Sequence, residues 1–343
     1  MISKAERQQQ PLYIGPLQVR NRVFLAPMSG ISDLPFRRLV YGLGAGLVVS
    51  EMIASEQLAK QRPDVILRSK KDDKSPLVIQ LSGREAHWMA EGARMAEDIG
   101  ADVIDINMGC PAKQVTRGLS GSALMRDEEK ALELIEAVVA AVDIPVTLKM
   151  RMGWDEDHLN APSLSQKAEV AGIQMITVHG RTRCQFFTGK ANWPYIARIK
   201  HAVSIPVIAN GDITEIRQLG EVLDQSQADG IMIGRGACGA PWFPGQAASF
   251  LNGCNQNEID PKPPTSADLY QLVSRHYSEI LSHYGMEIGR RTARKHLGWY
   301  IENLGLTASE TKLWRQKICR EDSPVKVQEL LKEFFDRRQE VAA

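Results

Sequence analysis

Short apolar runs, many of them rich in β-branched residues, alternate along the chain with longer segments whose apolar residues recur at helical spacing. Near-continuous apolar runs are typical of parallel strands that are buried on both faces by helices. The pattern predicts eight such strands: Val23–Ala26, Leu47–Ser50, Leu77–Leu81, Val103–Asn107, Val146–Met150, Met175–His179, Val207–Ala209 and Gly230–Ile233. Helical spacing between them is present over Ala86–Ile99 and Glu128–Val142.

Eight strands that alternate with helices predict an α/β fold of the (β/α)8 TIM-barrel type. The alternative is an open doubly wound sheet, whose dinucleotide-binding form carries G-x-G-x-x-G after its first strand. Gly42, Gly44 and Gly46 do not supply this motif, because position 47 is Leu and because they precede a strand. They are typical of a helix C-cap and turn, so the barrel is the preferred fold.

The alternation stops after Ile233, and the chain then changes character. The segment Asp260–Pro264 contains three prolines and excludes a helix. Beyond it the spacing predicts a small helical bundle of four helices, Leu269–Tyr284, Gly289–Leu304, Thr307–Ile318 and Val325–Arg338. The predicted organisation is an N-terminal extension (1–12), the barrel (13–259), a proline-rich linker (260–265) and a helical domain (266–343).

Composition narrows the class of protein further. A length of 343 residues suits one barrel of about 250 residues with an appendage. With 42 Lys+Arg against 41 Asp+Glu, the total charge carries no sign of a nucleic-acid partner, so any such signal must be local. The polar N-terminus and the lack of a long apolar stretch predict a cytoplasmic protein without a membrane partner. The five cysteines form no C-x-x-C pair, which predicts neither a disulfide framework nor a metal site.

Polar residues follow almost every predicted strand, and catalytic groups of barrels lie at those strand ends. A lone His179 is more often a hydrogen-bonded core residue than a catalyst. Several polar side chains at one barrel mouth, however, are costly to bury unless they bind something. The strand-end residues singled out on this ground are Ser29, Gln80, Asn107, Lys149, His179, Asn210, Asp212 and Arg235.

The loops after strands seven and eight predict a phosphate site, which barrels commonly hold there. Asn210–Asp212 and Gly234–Gly236 supply glycine-freed backbone N–H groups, and Arg235 adds a charged donor. Gln80 and Lys149 would then face the middle of the bound molecule. A cation beside a planar ring fits FMN, because it stabilises the anionic reduced flavin.

Cys110 lies in the loop Gly109–Lys113, directly after strand four. A buried cysteine is often only a small packing residue, but this one stands in a loop at a strand end. Free thiols are mostly protonated at neutral pH, which suits proton donation. Cys110 is therefore a candidate proton donor.

Five stretches of these strand ends resemble the tRNA-dihydrouridine synthases, and within them the B-type bacterial enzyme. The likeness runs from about Ile14 to Phe335. The Asn-x-Gly-Cys-Pro loop together with the His-Gly-Arg-Thr segment is highly specific. The matching stretches are Ala26–Asp33, Asp105–Lys113, Val178–Arg183, Pro206–Ile213 and Met232–Arg235.

The resemblance implies an FMN-dependent enzyme in which NADPH reduces the flavin. The reduced flavin then reduces the C5–C6 bond of a D-loop uridine in tRNA. In this scheme flavin N5 delivers hydride to C6, Cys110 protonates C5 and Asn107 positions the uracil edge. His179 would lie beside the flavin. The implied FMN-binding residues are Pro27, Met28, Ser29, Gln80, Lys149, His179, Asn210, Gly211, Asp212, Gly234 and Arg235.

A uridine in folded tRNA must leave its stack to reach a barrel mouth, so other surfaces must hold the RNA. The predicted tRNA contacts are Lys113, Arg117, Arg290, Arg291, Arg294 and Lys295. Phosphate binding would relieve the like-charge repulsion along the helix that carries the last four. A solvated basic face is the alternative. The acidic stretch Asp155–Asp157 is unexpected beside tRNA.

Two other functions remain to be distinguished. A flavin barrel that acts on a free pyrimidine, as in the dihydroorotate dehydrogenases, would not require a basic helical domain. An RNA chaperone that has lost catalysis would not require Cys110, Lys149 and His179 together. The sequence does not fix the oligomeric state, and a monomer is the default expectation.

Overall fold

The computed structural model of the chain describes residues 10–253 and 265–342. A short antiparallel hairpin comes first, and a parallel sheet of nine strands follows. Gly15, with φ of 55°, makes the turn of the hairpin. The hairpin strands are β1 (Tyr13–Ile14) and β2 (Leu17–Gln18); the sheet contains β3 (Val23–Leu25), β4 (Leu47–Val48), β5 (Ile53–Ala54), β6 (Val78–Ser82), β7 (Val103–Met108), β8 (Val146–Arg151), β9 (Ile176–His179), β10 (Val207–Asn210) and β11 (Gly230–Ile233).

The sheet curls into a closed barrel. Its strand order is β4-β3-β11-β10-β9-β8-β7-β6-β5. β4 and β6 meet through a parallel bridge between Val49 and Val78, and Ser50 N donates to Val78 O at 3.0 Å. β4 and β5 together form the second strand of the barrel, and β5 pairs with the carboxyl end of β6. The eight predicted strands are confirmed, and the open doubly wound sheet is excluded.

Helices cover the outside of the barrel and form the C-terminal part of the chain. The longer barrel helices bury an apolar face against the strands, as amphipathic spacing requires. The helices are α1 (Leu34–Gly42), α2 (Ser55–Ala59), α3 (Pro63–Arg68), α4 (Ala86–Asp98), α5 (Lys113–Arg117), α6 (Glu128–Val139), α7 (Ala161–Val170), α8 (Trp193–Ala202), α9 (Gln218–Ser226), α10 (Phe243–Leu251), α11 (Ser266–Glu302), α12 (Ala308–Arg320) and α13 (Pro324–Ala342), with short 3-10 turns at Gly121–Arg126 and Arg235–Ala237.

Two apolar layers hold the barrel together, because successive side chains of a strand point to opposite faces. Ile104, Ile106 and their equivalents point outward and pack under the helices. Phe24 and Val103 point inward and share the lower interior with Ile14 of the hairpin. The hairpin therefore closes the bottom of the barrel, and any ligand must enter from the opposite end.

The upper half of the barrel interior is polar, and this is what builds the site. On β7 the inward positions after Val103 are Asp105 and Asn107. On β8 they are Thr147, Lys149 and Arg151. Pairing aligns Gln80 with Asp105, Asn107 with Lys149, and His179 with both Arg151 and Asn210. The two-residue period of the strands thus brings polar side chains of five neighbouring strands into the upper interior of the barrel.

The C-terminal helices have an apolar core of their own, which includes Val273, Leu297, Trp314 and Phe334. The predicted gap between the first two helices is a break at one residue, Gly285 (φ 75°, ψ 170°), and the helix resumes directly after it. α11 packs against α1 of the barrel, where the Phe36 ring lies 5.8 Å from the ring of His276 and 5.3 Å from that of His296.

Parts of the predicted organisation lie outside the described residues, namely 1–9 of the N-terminal extension, 254–259 of the barrel, 260–264 of the proline-rich linker and 343 of the helical domain. Leu12, at the end of the predicted extension, is buried against the hairpin. Across residues 10–253 and 265–342, no helix has the length and apolar character to cross a membrane.

Candidate functional site

A cavity of about 650 Å³ opens at the carboxyl ends of the barrel strands. It is lined by all the residues that the sequence singles out for FMN and for catalysis. Those residues are Pro27, Met28, Ser29, Gln80, Asn107, Cys110, Lys149, His179, Asn210, Gly211, Asp212, Gly234 and Arg235. Side chains from at least six strand ends therefore converge on one space.

A hydrogen-bonded chain of buried side chains crosses the base of the cavity. Gln80 Nε2 donates to Asp105 Oδ2 at 2.7 Å, and Asn107 Nδ2 donates to Gln80 Oε1 at 2.8 Å. Thr147 Oγ1 donates to Asp105 Oδ1 at 2.7 Å. Burial raises the pKa of Asp105 to about 6. The chain fixes both side-chain amides, so that Gln80 and Asn107 present defined polar edges to the cavity.

The Cys110 loop is held by hydrogen bonds to its backbone and by close packing beside it. Asn107 Oδ1 accepts from Cys110 N at 3.0 Å, and Ser122 Oγ donates to Cys110 O at 2.8 Å. Gly121 has φ of 59°, and a Cβ there would lie 2.9 Å from Cys110 O, so only glycine fits beside the loop. The backbone of Cys110 is fixed while its side chain stays partly exposed to the cavity.

The carboxyl ends of β8 and β9 bring cations together at the mouth of the barrel. Lys149 Nζ donates to Asn210 Oδ1 at 3.1 Å, and burial lowers the pKa of Lys149 to about 8. The pKa of His179 lies well below its usual range, chiefly through burial and then through the nearby cations Arg151 and Lys149. His179 is therefore neutral at physiological pH, and the positive charge of the mouth comes from lysine and arginine.

Two buried arginines organise these loops, and the sequence reasoning did not include them among the site residues. Arg151 donates to Gly109 O, Thr182 O and Phe186 O at 2.8 Å each. It therefore connects the Cys110 loop to the loop after β9. Arg181 forms a two-point ion pair with Asp212 at 2.7 and 2.8 Å. Their positions at strand ends were the only indication of a role in the site. The sequence does not distinguish an arginine that binds loop carbonyls from one that binds a ligand.

The ends of β10 and β11 have the character of an anion site. Gly211 has φ of 120°, and a Cβ there would lie 2.9 Å from the His179 ring, which makes glycine necessary. A Cβ on Gly234 would instead meet only ordinary contacts, 3.7 Å from Ala26 and 3.8 Å from Met28. Packing within the protein does not require glycine at 234. A glycine there leaves the backbone open to a ligand, beside the first N–H groups of the 3-10 turn Arg235–Ala237 and the exposed Arg235.

Two aromatic residues at the rim were also missed. Phe186 and Phe187 form an edge-to-face pair with ring centroids 4.7 Å apart, and both line the cavity. The guanidinium of Arg235 lies 4.9 Å from the Phe187 ring centroid, and that of Arg151 lies 5.6 Å from it. They lie in the loop after β9, just beyond the matching stretch Val178–Arg183.

The loop after β3 is held by side chains of the barrel and lies close to the helical bundle. The carboxylate of Glu51, buried after β4, accepts from Gly30 N. Arg37 Nη1 donates to Ser32 O at 2.9 Å. Asp33 caps α1 by accepting from Phe36 N at 3.0 Å, and burial raises its pKa to about 6. From α11, Lys295 Nζ lies 3.5 Å from where a Cβ on Gly30 would stand.

The six predicted tRNA-binding residues fall into different places, and none of them lines the cavity. Lys113 and Arg117 are exposed on α5, directly after the Cys110 loop. On α11, Arg290 and Arg294 both pair with Asp322, at 3.3 and 2.8 Å. Arg291 pairs with Glu287 at 3.0 Å.

Solved structures with the same barrel include histamine dehydrogenase from Rhizobium sp. 4-9, with a TM-score of 0.57 and 13% identity over 80% of this chain and 51% of that one. This chain therefore spans about half the length of that protein. Morphinone reductase gives a TM-score of 0.50 with 17% identity over 75% of this chain and 93% of that one. At these identities the likeness shows the fold alone.

Sequence comparison identifies the family. The family model described as "Dihydrouridine synthase (Dus)" matches residues 24–340. A "Probable tRNA-dihydrouridine synthase" of Rhodobacter capsulatus is 53% identical over 92% of this chain and 95% of its own length. The proteins named "tRNA-dihydrouridine synthase B" from Xanthomonas axonopodis and Pseudomonas aeruginosa are 43% and 44% identical over 95% and 85% of this chain, and over 96% and 87% of their own lengths. The chain belongs to the dihydrouridine synthase family and is an oxidoreductase that acts on tRNA uridine.

Proposed function

We propose that this protein binds FMN in the barrel-mouth cavity and uses it, with NADPH as the reductant, to reduce the C5–C6 bond of a D-loop uridine in tRNA. The observation that carries the proposal is the convergence of Cys110, Asn107, Lys149 and His179 on one cavity of about 650 Å³. That volume lies within the range of cofactor sites in proteins, roughly 300–1,000 Å³.

The residues present fit FMN at both of its ends. The open backbone at Gly234 and the charged donor Arg235 suit a phosphate. Pro27, Met28 and Ser29, in the loop braced by Glu51, would form one wall of the ring site, and Gly211 and Asp212 the other. Lys149 and Gln80 would face the polar edge of the ring. When bound and reduced by NADPH, FMN supplies the hydride that C6 of the uracil accepts.

Lys149 and Asn210 would orient each other at this site, since their side chains are hydrogen-bonded at 3.1 Å. As a buried cation, Lys149 stabilises negative charge on the polar edge of the ring. Neutral His179 holds a hydrogen bond without adding charge, because burial and the nearby cations keep its pKa low. Lys149 would therefore supply positive charge to the ring, and His179 would help to position it.

Cys110 would donate the proton to C5 of the uracil from the face opposite to hydride delivery. Its backbone is fixed by Asn107 and Ser122, so the thiol is presented at a defined place in the cavity. Asn107 also has its side chain fixed by Gln80 and would hold the edge of the uracil. With the hydride donor and the proton donor on opposite faces of a flat base, the protein would promote the reaction mainly by positioning the groups. Such a reaction needs no metal.

The helical part of the chain would hold the tRNA while the uridine is turned out of its stack. We propose that residues 13–259 form the FMN-binding unit and residues 266–343 the tRNA-binding unit. Arg290, Arg291 and Arg294 would contact phosphates after exchanging their carboxylate partners for RNA, and Lys295 would contact phosphate beside them. The cytoplasmic location, the monomeric state and the absence of a metal stay predictions.

Mapping dihydrouridine position by position in tRNA tests the proposal. The RNA comes from cells with the gene, without it, and complemented with wild type or with Cys110→Ala. Loss at one D-loop position that wild type restores and Cys110→Ala does not would support reaction, substrate and proton donor together. Unchanged dihydrouridine at every D-loop position would overturn the assignment to a D-loop uridine.

A further inference from the structure

A tryptophan between two arginines joins three loops of the barrel mouth. The guanidinium of Arg126 lies 4.1 Å from the Trp154 ring centroid, and that of Arg183 lies 4.6 Å from it. Arg126 ends the 3-10 turn after the Cys110 loop, Trp154 follows β8, and Arg183 follows β9. We call Arg126, Trp154, Arg183, Lys113 and Arg117 the Trp154 surface.

The Trp154 surface lies next to the catalytic loop. Arg183 Nη2 donates to Thr116 Oγ1 at 3.4 Å, which attaches it to α5. α5 begins three residues after Cys110 and carries Lys113 and Arg117 on its exposed side. The loops that bear Arg183 and Trp154 are joined by Cys184 N, which donates to Trp154 O at 2.8 Å.

Its four cations lack carboxylate partners in the part of the chain that the structure describes. Within residues 10–253 and 265–342, Lys113, Arg117, Arg126 and Arg183 form no ion pair, whereas Arg290, Arg291 and Arg294 of α11 all do. The buried Arg183 Nε also has no hydrogen-bond partner among those residues. A cluster of like charges costs free energy in an isolated protein and favours binding of a polyanion.

The neighbouring acidic stretch does not cancel this charge by direct contact. Asp155 Oδ1 accepts from Asp157 N at 3.2 Å and from His158 N at 3.0 Å, and it contacts His158 Nδ1 at 2.6 Å. Its carboxylate is therefore engaged within its own loop. The guanidinium groups of Arg126 and Arg183 remain against the Trp154 ring, and Arg126 is exposed to solvent.

We infer that the Trp154 surface binds the sugar–phosphate backbone of the RNA strand next to the uridine that enters the cavity. The inference rests on the proposed function and deepens it, because it adds a phosphate-binding face beside Cys110 and apart from the helical bundle. Trp154 orders the two arginines before RNA arrives, so less side-chain entropy is lost on binding. Unpaired cations also bind phosphate without first giving up a carboxylate partner.

The salt dependence of tRNA affinity tests this inference. Each lost phosphate contact lowers the slope of log affinity against log salt by about one. Arg126→Gln and Arg183→Gln are therefore expected to lower the slope by about one each, and to weaken tRNA binding up to about fivefold at moderate salt. Arg126→Lys keeps the charge and is expected to retain the wild-type slope.

Arg94→Gln is the matched control, because Arg94 is exposed on α4 of the barrel flank and is paired with Glu91. Thermal melting of each variant separates loss of contact from loss of fold. Unchanged slopes in folded Arg126→Gln and Arg183→Gln proteins would overturn the inference. The wild-type protein is assayed for dihydrouridine formation in the same tRNA sample, which tests the proposed function separately.

Discussion

Cys110 shows how much of this site depends on single backbone contacts. Its N–H is bound by Asn107 and its carbonyl by Ser122, while Arg151 holds the carbonyl of Gly109 one residue earlier. The loop is therefore oriented by side chains from its own strand, from the following turn and from β8. A thiol with a fixed backbone needs little rearrangement to reach a base stacked in the cavity.

Replacing the thiol tests its role as an acid. Cys110→Ala is expected to slow dihydrouridine formation by about 10²–10⁴-fold, the usual contribution of general acid catalysis. Single-turnover assays with pre-reduced protein measure this step directly. Cys184→Ala is the control, because Cys184 is an exposed cysteine of the loop after β9 and does not line the cavity. Equal rates in the two variants would contradict the assignment.

Lys149 is the buried cation of the site, and burial already lowers its pKa to about 8. Lys149→Gln keeps much of the volume and removes the charge. A charged hydrogen bond contributes about 1.5–3 kcal/mol, so its loss should shift the two-electron potential of bound FMN negative by about 30–60 mV. Spectroscopic redox titration measures the shift, with Lys130→Gln on α6 as control. A potential that stays in place would remove Lys149 from contact with the reduced ring.

At the scale of whole elements, strand prediction succeeded where burial on both faces left an uninterrupted apolar run, as in β3 and β11. It missed β5, since Ile53–Ala54 is too short to form a pattern. The polar residues of the site were found because strand ends are special in barrels. Arg151 and Arg181 followed the same strands, but their bonds to carbonyls and to Asp212 depend on loops whose paths the sequence does not encode locally.

The contact between α1 and α11 buries two histidines. His276 Nδ1 lies 2.9 Å from Tyr300 Oη, and the His276 and His296 rings are 4.9 Å apart. Burial lowers the pKa of His276 to about 3, below its unfolded value of 6.5. The interface therefore depends on neutral imidazoles, and protonation opposes it.

This sets an expected pH dependence of stability. A depressed pKa means that the His276 contribution is complete above about 6.5 and is lost as the pH falls towards 3. Asp33 has the opposite sign, because its raised pKa of about 6 makes its contribution fall as the pH rises through 6. His276→Asn should therefore reduce the loss of urea stability between pH 7 and pH 5 relative to wild type. The exposed His87→Asn serves as control; parallel pH profiles for wild type and His276→Asn would contradict the expectation.

On the scale of the whole molecule, charge is distributed in patches. A formal net charge of +1 gives no long-range attraction for tRNA. The Trp154 surface concentrates unpaired cations on the barrel, and α11 carries cations that are paired with Glu287 and Asp322. Binding by such patches is specific in geometry, and its strength depends steeply on salt.

The helical bundle also covers apolar surface of the barrel. Phe36 of α1 is fully buried and contacts His276 and His296 of α11. A protein truncated after residue 253 is expected to expose this face and to associate, since large exposed apolar patches favour self-association. Light scattering coupled to size exclusion measures it against the full chain at equal concentration. A monodisperse, cooperatively melting barrel would show that the bundle is not needed to cover α1.

The barrel closes against β6 through the Val49–Val78 bridge and the two-residue pairing of β5, whereas β7 and β8 pair from Ile104 to Met108. Segments with few hydrogen bonds open first, so backbone amides along this seam should exchange with deuterated solvent earlier than those of β7. Glu51 and Met52 lie in the gap; the first holds Gly30 and the second lines the cavity. A molecule that occupies the cavity would contact both sides of the seam and would therefore stabilise the closed barrel.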